Sequence, residues 1–278
     1  MMPSARRRGR TVRVLRGCRP LIAGVALLLL WEWAVVAFNV RPFILPRPSQ
    51  VAVALVAEAG QLMPAALTTA QEIVLGFLLA VAIGVPLAVA LLSSRWVEDT
   101  LFPLILSAQI VPKVALAPIL TVWLGLGMTT KLMVAFLLSF FPILIDTMIG
   151  LKSVETGKLF LARSMGASAM RTFFKIRLPS ALPNLFGGMK IASTLAVVGA
   201  IVGEFIGANS GLGNVLLIAN ANFDMVMVFA GITYLTAIGI ILFAVLEGIE
   251  RLTIPWHVSR RELLEPTIEA RPGLAPEV

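Results

Sequence analysis

Residues 131–150 read KLMVAFLLSFFPILIDTMIG, and this run decides the fold. It contains only two charged side chains, Lys131 at its start and Asp146 near its end. A helix of about 20 residues rises about 30 Å, which is the thickness of the hydrocarbon core of a bilayer. The run therefore predicts a helix that spans a membrane.

Similar apolar runs flank this one on both sides. Hydrophobic residues make up 58% of the 278 residues and charged residues 14%, and the mean hydropathy is +0.93. Soluble domains are typically about 45–50% apolar and about 25% charged. We therefore predict an all-α polytopic membrane protein with about six transmembrane helices, at 21–38, 67–92, 101–124, 131–150, 185–206 and 226–247.

The basic residues lie beside the apolar runs and form no single face, so the net charge of +8 favours membrane orientation over nucleic-acid binding. Segment 1–20 is basic and precedes the first run, which places the amino terminus in the cytoplasm. Connector 151–184 carries six Lys or Arg residues, whereas 207–225 carries none. An even number of spans then returns the charged, flexible tail 259–278 to the cytoplasm.

The first run has a second interpretation. Its arginine-rich start followed by apolar residues also resembles a cleavable signal peptide. Trp31, Glu32 and Trp33 interrupt the apolar core of such a peptide, which favours a membrane anchor.

The residues that usually carry chemistry are nearly absent. The chain has one cysteine, Cys18, and one histidine, His257, so a single chain cannot form a disulfide, a zinc cluster or a Cys/His dyad. It also lacks the Gly-x-x-x-x-Gly-Lys-Ser/Thr phosphate loop. The sequence therefore predicts no catalytic residue, no metal site and no cofactor bound by this chain.

Several polar residues fall within or at the ends of the predicted spans, where each needs a partner or water because a buried charge is costly. These residues are Glu72, Gln109, Lys113, Asp146, Lys190 and Glu204. Lys113 and Asp146 are predicted to form an ion pair that braces two spans, with ligand binding as the alternative.

A glycine-rich segment follows Glu204. Irregular backbone at membrane depth is tolerated only where it lines a cavity or is covered by protein. Glu204, Gly207, Gly211 and Gly213 are therefore predicted to form part of a translocation pathway or gate. Alternatively, Glu204 braces the glycine-rich turn.

Connector 151–184 is more than a simple loop. Residues 159–176 have few helix breakers and combine apolar with basic side chains, which predicts two short helices hinged at Gly166. A cytoplasmic helical hairpin that is apolar on one side suits the groove of a partner protein. A helix lying on the membrane surface is the alternative.

This hairpin resembles the cytoplasmic loop of ABC importer permeases, which reads Glu-Ala-Ala, three residues, Gly, nine residues and Ile-x-Leu-Pro. Gly166, Ile176, Leu178 and Pro179 match this pattern. Phe160, Leu161 and Ala162 stand in place of Glu-Ala-Ala, so the acidic contact is missing. The resemblance assigns coupling to an ATPase to Ala162, Gly166, Ala167, Ile176, Leu178 and Pro179.

The resemblance extends over about residues 46–257 and includes LPRPS at 45–49, VPKVALAP at 111–118 with WLG at 123–125, GEFIG at 203–207 with GLG at 211–213, and FD at 223–224 with VFAG at 228–231. It points to the branch with nitrate, sulfonate and taurine importers. Residues 112–115 and 255–257 also look like permeases for pyrimidine thiamine precursors or riboflavin.

The resemblance implies a type I importer architecture, with residues 21–258 as the permease domain in the bacterial inner membrane. It also implies a second copy of the permease, two ATPase subunits that hold ATP and Mg, and an extracytoplasmic solute-binding protein. An ion- or proton-coupled secondary transporter using Asp146 and Glu204 is the alternative function. A membrane scaffold, or an enzyme with a site between spans, is a third.

Overall fold

The computed structural model of the protein describes residues 5–92, 94–206 and 209–255, and for residues 5–20 and 95 it describes the backbone alone. Throughout these ranges the chain forms helices and turns and no strand. The predicted all-α class is confirmed. Gly207 and the tail 259–278, for which a pathway role and flexibility were predicted, lie outside the described residues.

The helices follow one another with short connections. A 3-10 turn, Lys113–Leu116, precedes α5, and a π-helical turn, Phe173–Arg177, precedes α9. The helices of the described chain are α1 (Ala5–Ala37), α2 (Pro48–Ala57), α3 (Ala59–Leu91), α4 (Arg95–Ile110), α5 (Ala117–Leu124), α6 (Met128–Lys152), α7 (Thr156–Ser164), α8 (Ala169–Thr172), α9 (Leu178–Phe205), α10 (Leu212–Ala221) and α11 (Met225–Thr253).

The long apolar helices match most of the predicted spans. Within the described ranges, α3, α6, α11 and the stretch Ala169–Phe205 are each long and apolar enough to cross a membrane. Helices α4 and α5 meet the same criteria as a pair bent by 80°, so the count is four, or five if the pair is one span. The predicted first span corresponds to the shorter apolar part of α1, Leu21–Ala37, and a total of six stays a prediction.

The chain forms two compact units, and the predicted single permease domain over 21–258 stays a prediction. One unit combines Met1–Thr69 with Ala208–Thr236, and the other combines Ala70–Gly207 with Ala237–Val278.

The first unit is held together by polar contacts as well as packing. The carboxylate of Glu32 on α1 accepts hydrogen bonds from the N–H and the hydroxyl of Ser49 on α2, at 3.0 and 2.8 Å. The backbone N–H of Leu212 donates to the hydroxyl of Thr69 at 2.8 Å. These bonds satisfy N–H groups of the first turns of α2 and α10, which a helix cannot satisfy internally.

In the second unit, α3 and α6 run parallel. Glu72 contacts Lys131 near the start of α6, and Gly84 lies against Ile143 further along, where an added Cβ would stand 3.2 Å from the isoleucine Cγ2. Both pairs are separated by 59 residues in the sequence, so the register is constant along the two helices. Buried residues of α3, α6, α9 and α11 form the core of this unit, among them Ile73, Phe77, Ile143, Ala192, Ala196 and Leu246.

Helices α6 and α9 run antiparallel and approach most closely. An added Cβ on Gly188 would stand 2.7 Å from the Cβ of Asp146, and one on Gly203 would stand 2.8 Å from the Cα of Lys131. The tightest approach is at Gly199, whose added Cβ would lie 2.6 Å from the Cα of Ala135. Small residues at such positions let helix backbones pack closely in lipid.

The directions of α3 and α6 indicate whether the bent pair of α4 and α5 counts as one membrane crossing. Because α3 and α6 run parallel, α4 and α5 together must carry the chain back from the end of α3 to the start of α6. An ion pair of 2.6 Å between Lys152 and Glu98 joins the end of α6 to the first turn of α4. The geometry therefore favours counting the bent pair as one crossing, as predicted for 101–124.

The close approach at Gly199 predicts that a larger residue at this position lowers the stability of the protein. Gly199→Ala should lower the stability of the protein by about 1–3 kcal/mol through overpacking, although alanine is the better helix former. Gly187→Ala on the same helix is the matched control, because an added Cβ there meets nothing within 4 Å. Thermal unfolding of both variants in detergent measures the difference, and equal midpoints would contradict the close packing.

Candidate functional site

The predicted coupling hairpin lies between α6 and α9, and its first helix ends in a Schellman motif. The N–H of Ala167 donates to the carbonyl of Ala162 at 3.0 Å, and the N–H of Gly166 donates to the carbonyl of Arg163 at 2.9 Å. Gly166 has φ +72°, a conformation that favours glycine. The spacing from Ala162 to Gly166 is therefore the spacing that this helix stop requires.

The second half of the hairpin begins directly after the turn. The hydroxyl of Ser168 caps α8 by accepting a hydrogen bond of 3.3 Å from the N–H of Arg171. The π-helical turn contains Ile176 and leads into α9, whose first two residues are Leu178 and Pro179. Proline is tolerated there because the first N–H groups of a helix have no partner within it. The predicted helix break at Gly166 is confirmed, but only the first helix is short, because α8, the π-helical turn and α9 continue into one another as the stretch Ala169–Phe205.

The hairpin presents an apolar groove of about 380 Å³. Three of the predicted coupling residues, Ala162, Ala167 and Ile176, line this groove together. Met165 also lines it and is 78% exposed. Large apolar side chains that remain exposed on a polar segment are typical of a surface that binds a partner.

The predicted pathway residues fall in both units. In the second unit, Glu204 is fully buried in the last turn of α9, within electrostatic range of the Glu72 carboxylate. In the first unit, Gly211 has φ +102° and is the N-cap of α10, and Gly213 is buried in its first turn. A role of these residues in translocation stays a prediction.

The predicted bracing pair is not formed. The Nζ of Lys113 donates to the backbone carbonyl of Gln109 at 2.7 Å and lies 4.5 Å from the centre of the Phe141 ring. Asp146 packs instead against Gly188. Phe141 precedes Asp146 by five residues on α6, a rise of about 7.5 Å, so the two residues lie more than one helical turn apart.

The buried ion pair of the second unit joins other residues. The Nζ of Lys131 lies 2.8 Å from the Oε1 of Glu72, and the two side chains are 7% and 0% exposed. The sequence identified Glu72 as a residue in need of a partner, but Lys131 opens an apolar run, where lysine is ordinarily an interfacial residue. Only the parallel register of α3 and α6 brings the two together.

A match to a protein family covers most of the second unit and the hairpin. The family of the binding-protein-dependent transport system inner membrane component matches residues 73–254, from the core of α3 to the end of α11. This chain belongs to that family. It is therefore an ABC importer permease, a transport component rather than an enzyme, as predicted.

Curated relatives of the permease cover nearly all of it. The formylaminopyrimidine transport permease protein of Halalkalibacterium halodurans is 34% identical over 88% of this chain and 98% of its own. The riboflavin transport system permease protein of Chloroflexus aurantiacus is 35% identical over 84% of this chain and 88% of its own. The taurine transport system permease protein of Escherichia coli is 31% identical over 85% and 89%.

Within the described residues the permease has no group of three histidine, cysteine, aspartate or glutamate side chains arranged to hold a metal ion. The hairpin and the buried charges are the features that a transport function can use.

Removal of one partner of the Lys131–Glu72 pair should cause a large loss of stability, which removal of the second partner should partly restore. Lys131→Met leaves the Glu72 carboxylate buried without its cation, which should cost about 3–5 kcal/mol. Glu72→Gln combined with Lys131→Met removes the Glu72 charge and should recover a large part of the loss, although Glu204 stays buried nearby. Lys158→Met is the control, because its pair with Glu155 is exposed and worth about 0–1 kcal/mol.

Yield of monodisperse protein and the thermal midpoint in detergent measure these variants. A single Lys131→Met variant as stable as the wild type would show that the buried pair contributes nothing. A double variant no better than the single would show that the loss comes from packing rather than from charge.

Proposed function

We propose that this permease is the membrane-spanning subunit of an ATP-driven importer that receives a small solute from an extracytoplasmic binding protein. The observation that carries the proposal is the hairpin, whose Schellman stop at Gly166 holds three predicted coupling residues around one exposed apolar groove. ATP and Mg belong to the separate ATPase subunits in this proposal.

Coupling follows from how the hairpin is attached. Its first helix follows α6 after three residues, and its π-helical turn runs directly into α9. A displacement of the hairpin by a closing ATPase pair is therefore transmitted to both helices. Since α6 and α9 pack with backbones in close contact, they move as one element between two arrangements of the bundle.

The transported solute is proposed from the relatives and the sequence resemblance. Those named above transport formylaminopyrimidine, riboflavin and taurine, and an Escherichia coli permease 29% identical over 240 residues is described as a putative aliphatic sulfonate transporter. From these relatives we place the solute of this permease among the vitamin precursors and small sulfonates, and the sequence resemblance adds nitrate as a further candidate. In each case the binding protein would supply most of the selectivity.

The assembly is proposed to be a homodimer in the bacterial inner membrane, with both termini and the hairpin in the cytoplasm. The basic excess of the hairpin supports this orientation. Exposed apolar side chains along 110–126 support burial against lipid and a second copy, since Ile110, Val122 and Trp123 are 84%, 83% and 75% exposed.

Co-purification from the native membrane tests the proposal. A tagged permease should recover an ATPase subunit and, after crosslinking, a solute-binding protein, and the complex in lipid nanodiscs should hydrolyse ATP faster with the loaded binding protein. Calorimetry of that binding protein with formylaminopyrimidine, riboflavin, taurine, an alkanesulfonate and nitrate then identifies the solute. A permease that purifies alone and transports in liposomes on an ion gradient would refute the proposal.

The turn at Gly166 supplies a variant that separates folding from coupling. Gly166→Val has space for its side chain but not a favourable backbone conformation, because φ is +72°. It should leave the spans folded, disrupt the hairpin turn and reduce ATPase recovery at least about tenfold, a cost of about 1.4 kcal/mol.

Gly248→Val is the matched control, because its site on α11 is equally open and its φ is not positive. It should retain the ATPase. Full recovery and full ATP-driven transport in Gly166→Val would contradict a coupling role for this turn.

A further inference from the structure

The charges of the hairpin are unbalanced. Connector 151–184 holds six basic residues and one acidic residue, Glu155. Lys152 pairs with Glu98 at 2.6 Å and Lys158 pairs with Glu155 at 3.2 Å. The remaining four, for which the described residues supply no ion pair, are Arg163, Arg171, Lys175 and Arg177.

Two of these four basic residues share one location. Arg163, in the last turn of α7, and Arg177, directly before α9, both line a cleft of about 540 Å³ and a second cleft of about 330 Å³. Leu159 lines both clefts as well, so the clefts meet at these three side chains. Thr156 borders the larger cleft and Thr172 the smaller one.

The chemistry of this location selects an anion. A guanidinium group presents a planar set of donors that matches a carboxylate or a phosphate with two parallel hydrogen bonds. Two guanidinium groups at the junction of two clefts, with hydroxyl groups at the edges, form a concave and positively charged receptor. Nothing on the hairpin itself supplies the negative charge, because Glu155 is engaged with Lys158.

The surrounding surface favours a protein over a membrane as the source of the anion. Met165 and Met170, 78% and 69% exposed, flank the turn at Gly166, the part of the hairpin furthest along the chain from α6 and α9. A helix that lies on a bilayer carries its apolar side chains along one face, whereas Met165 lies at the end of α7 and Met170 lies in α8, on either side of the turn. Exposed apolar side chains at the hairpin tip, next to an arginine-lined cleft, fit a protein groove that is apolar and acidic.

We infer that Arg163 and Arg177 bind carboxylate side chains of the partner ATPase, so that the permease contributes the positive and the ATPase the negative half of the coupling contact. This inference rests on the proposed function. It adds the chemistry of the ATPase surface. That surface carries an acidic pair or cluster beside the apolar region that receives the hairpin tip.

The test compares matched charge changes in the full-length permease in nanodiscs. The cleft variant is Arg163→Gln with Arg177→Gln. The control is Lys152→Gln with Arg251→Gln, which removes two charges from the last turns of α6 and α11, at residues that line neither the two clefts nor the apolar groove. The probe is the ATPase subunit that co-purifies with the wild type, and its Kd is measured at 0.15 M NaCl.

The cleft variant should weaken ATPase binding by at least about 30-fold, because it leaves the buried carboxylates of the ATPase without their arginine partners. The control should weaken binding by no more than about threefold. Arg163→Lys with Arg177→Lys should fall in between, since it keeps the charge but loses the paired hydrogen bonds. Equal losses in the cleft and control variants would overturn the inference in favour of a general basic surface.

Two further comparisons distinguish binding of the ATPase from binding of lipid, and failure of this inference from failure of the proposed function. If the cleft variant binds the ATPase normally in phosphatidylcholine nanodiscs and weakly only with phosphatidylglycerol, the arginines bind lipid phosphate and the inference is overturned. If the wild type binds an ATPase and the cleft variant binds it equally well, this inference fails while the proposed function stands. If the wild type binds no ATPase, the proposed function fails first.

Discussion

The structure of the second unit depends on how closely α6 can approach its neighbours. Lipid offers no hydrophobic drive for helices to associate, so van der Waals contact between backbones must supply it. Glycines at 188, 199 and 203 on α9 allow this contact, and the same region of α6 carries Lys131, which pairs with Glu72 of α3. Three helices are thus fixed by one line of small residues and one buried ion pair.

This fixed element attaches the hairpin firmly to the membrane spans. The hairpin joins the end of α6 to the start of α9, the two helices that cannot slide apart without losing their backbone contacts. Its turn is held by local hydrogen bonds: a Schellman stop at Gly166 and a side-chain cap at Ser168. A rigid attachment and a locally defined tip together suit transmission of movement from a partner.

Much of the fold could be predicted because its causes are local. The spans from α3 to α11 follow from run length and apolarity, and the hinge at Gly166 follows from the few helix breakers around it. The buried ion pair could not be predicted correctly. Lys113 and Asp146 are plausible partners by their positions in the sequence, but Lys113 lies above the Phe141 ring. Charge pairing across helices depends on register, and register is not encoded in any single run.

The sequence by itself determined the helical class, the membrane as solvent, the position of the hairpin and the family resemblance, because each depends on residue type and spacing within one segment. The tertiary structure alone decided that α3 and α6 run parallel with a constant offset of 59 residues, that Lys131 is the partner of Glu72, and that Arg163 and Arg177 share two clefts. These facts join segments far apart in the chain, and contacts of that kind are settled only when the helices pack.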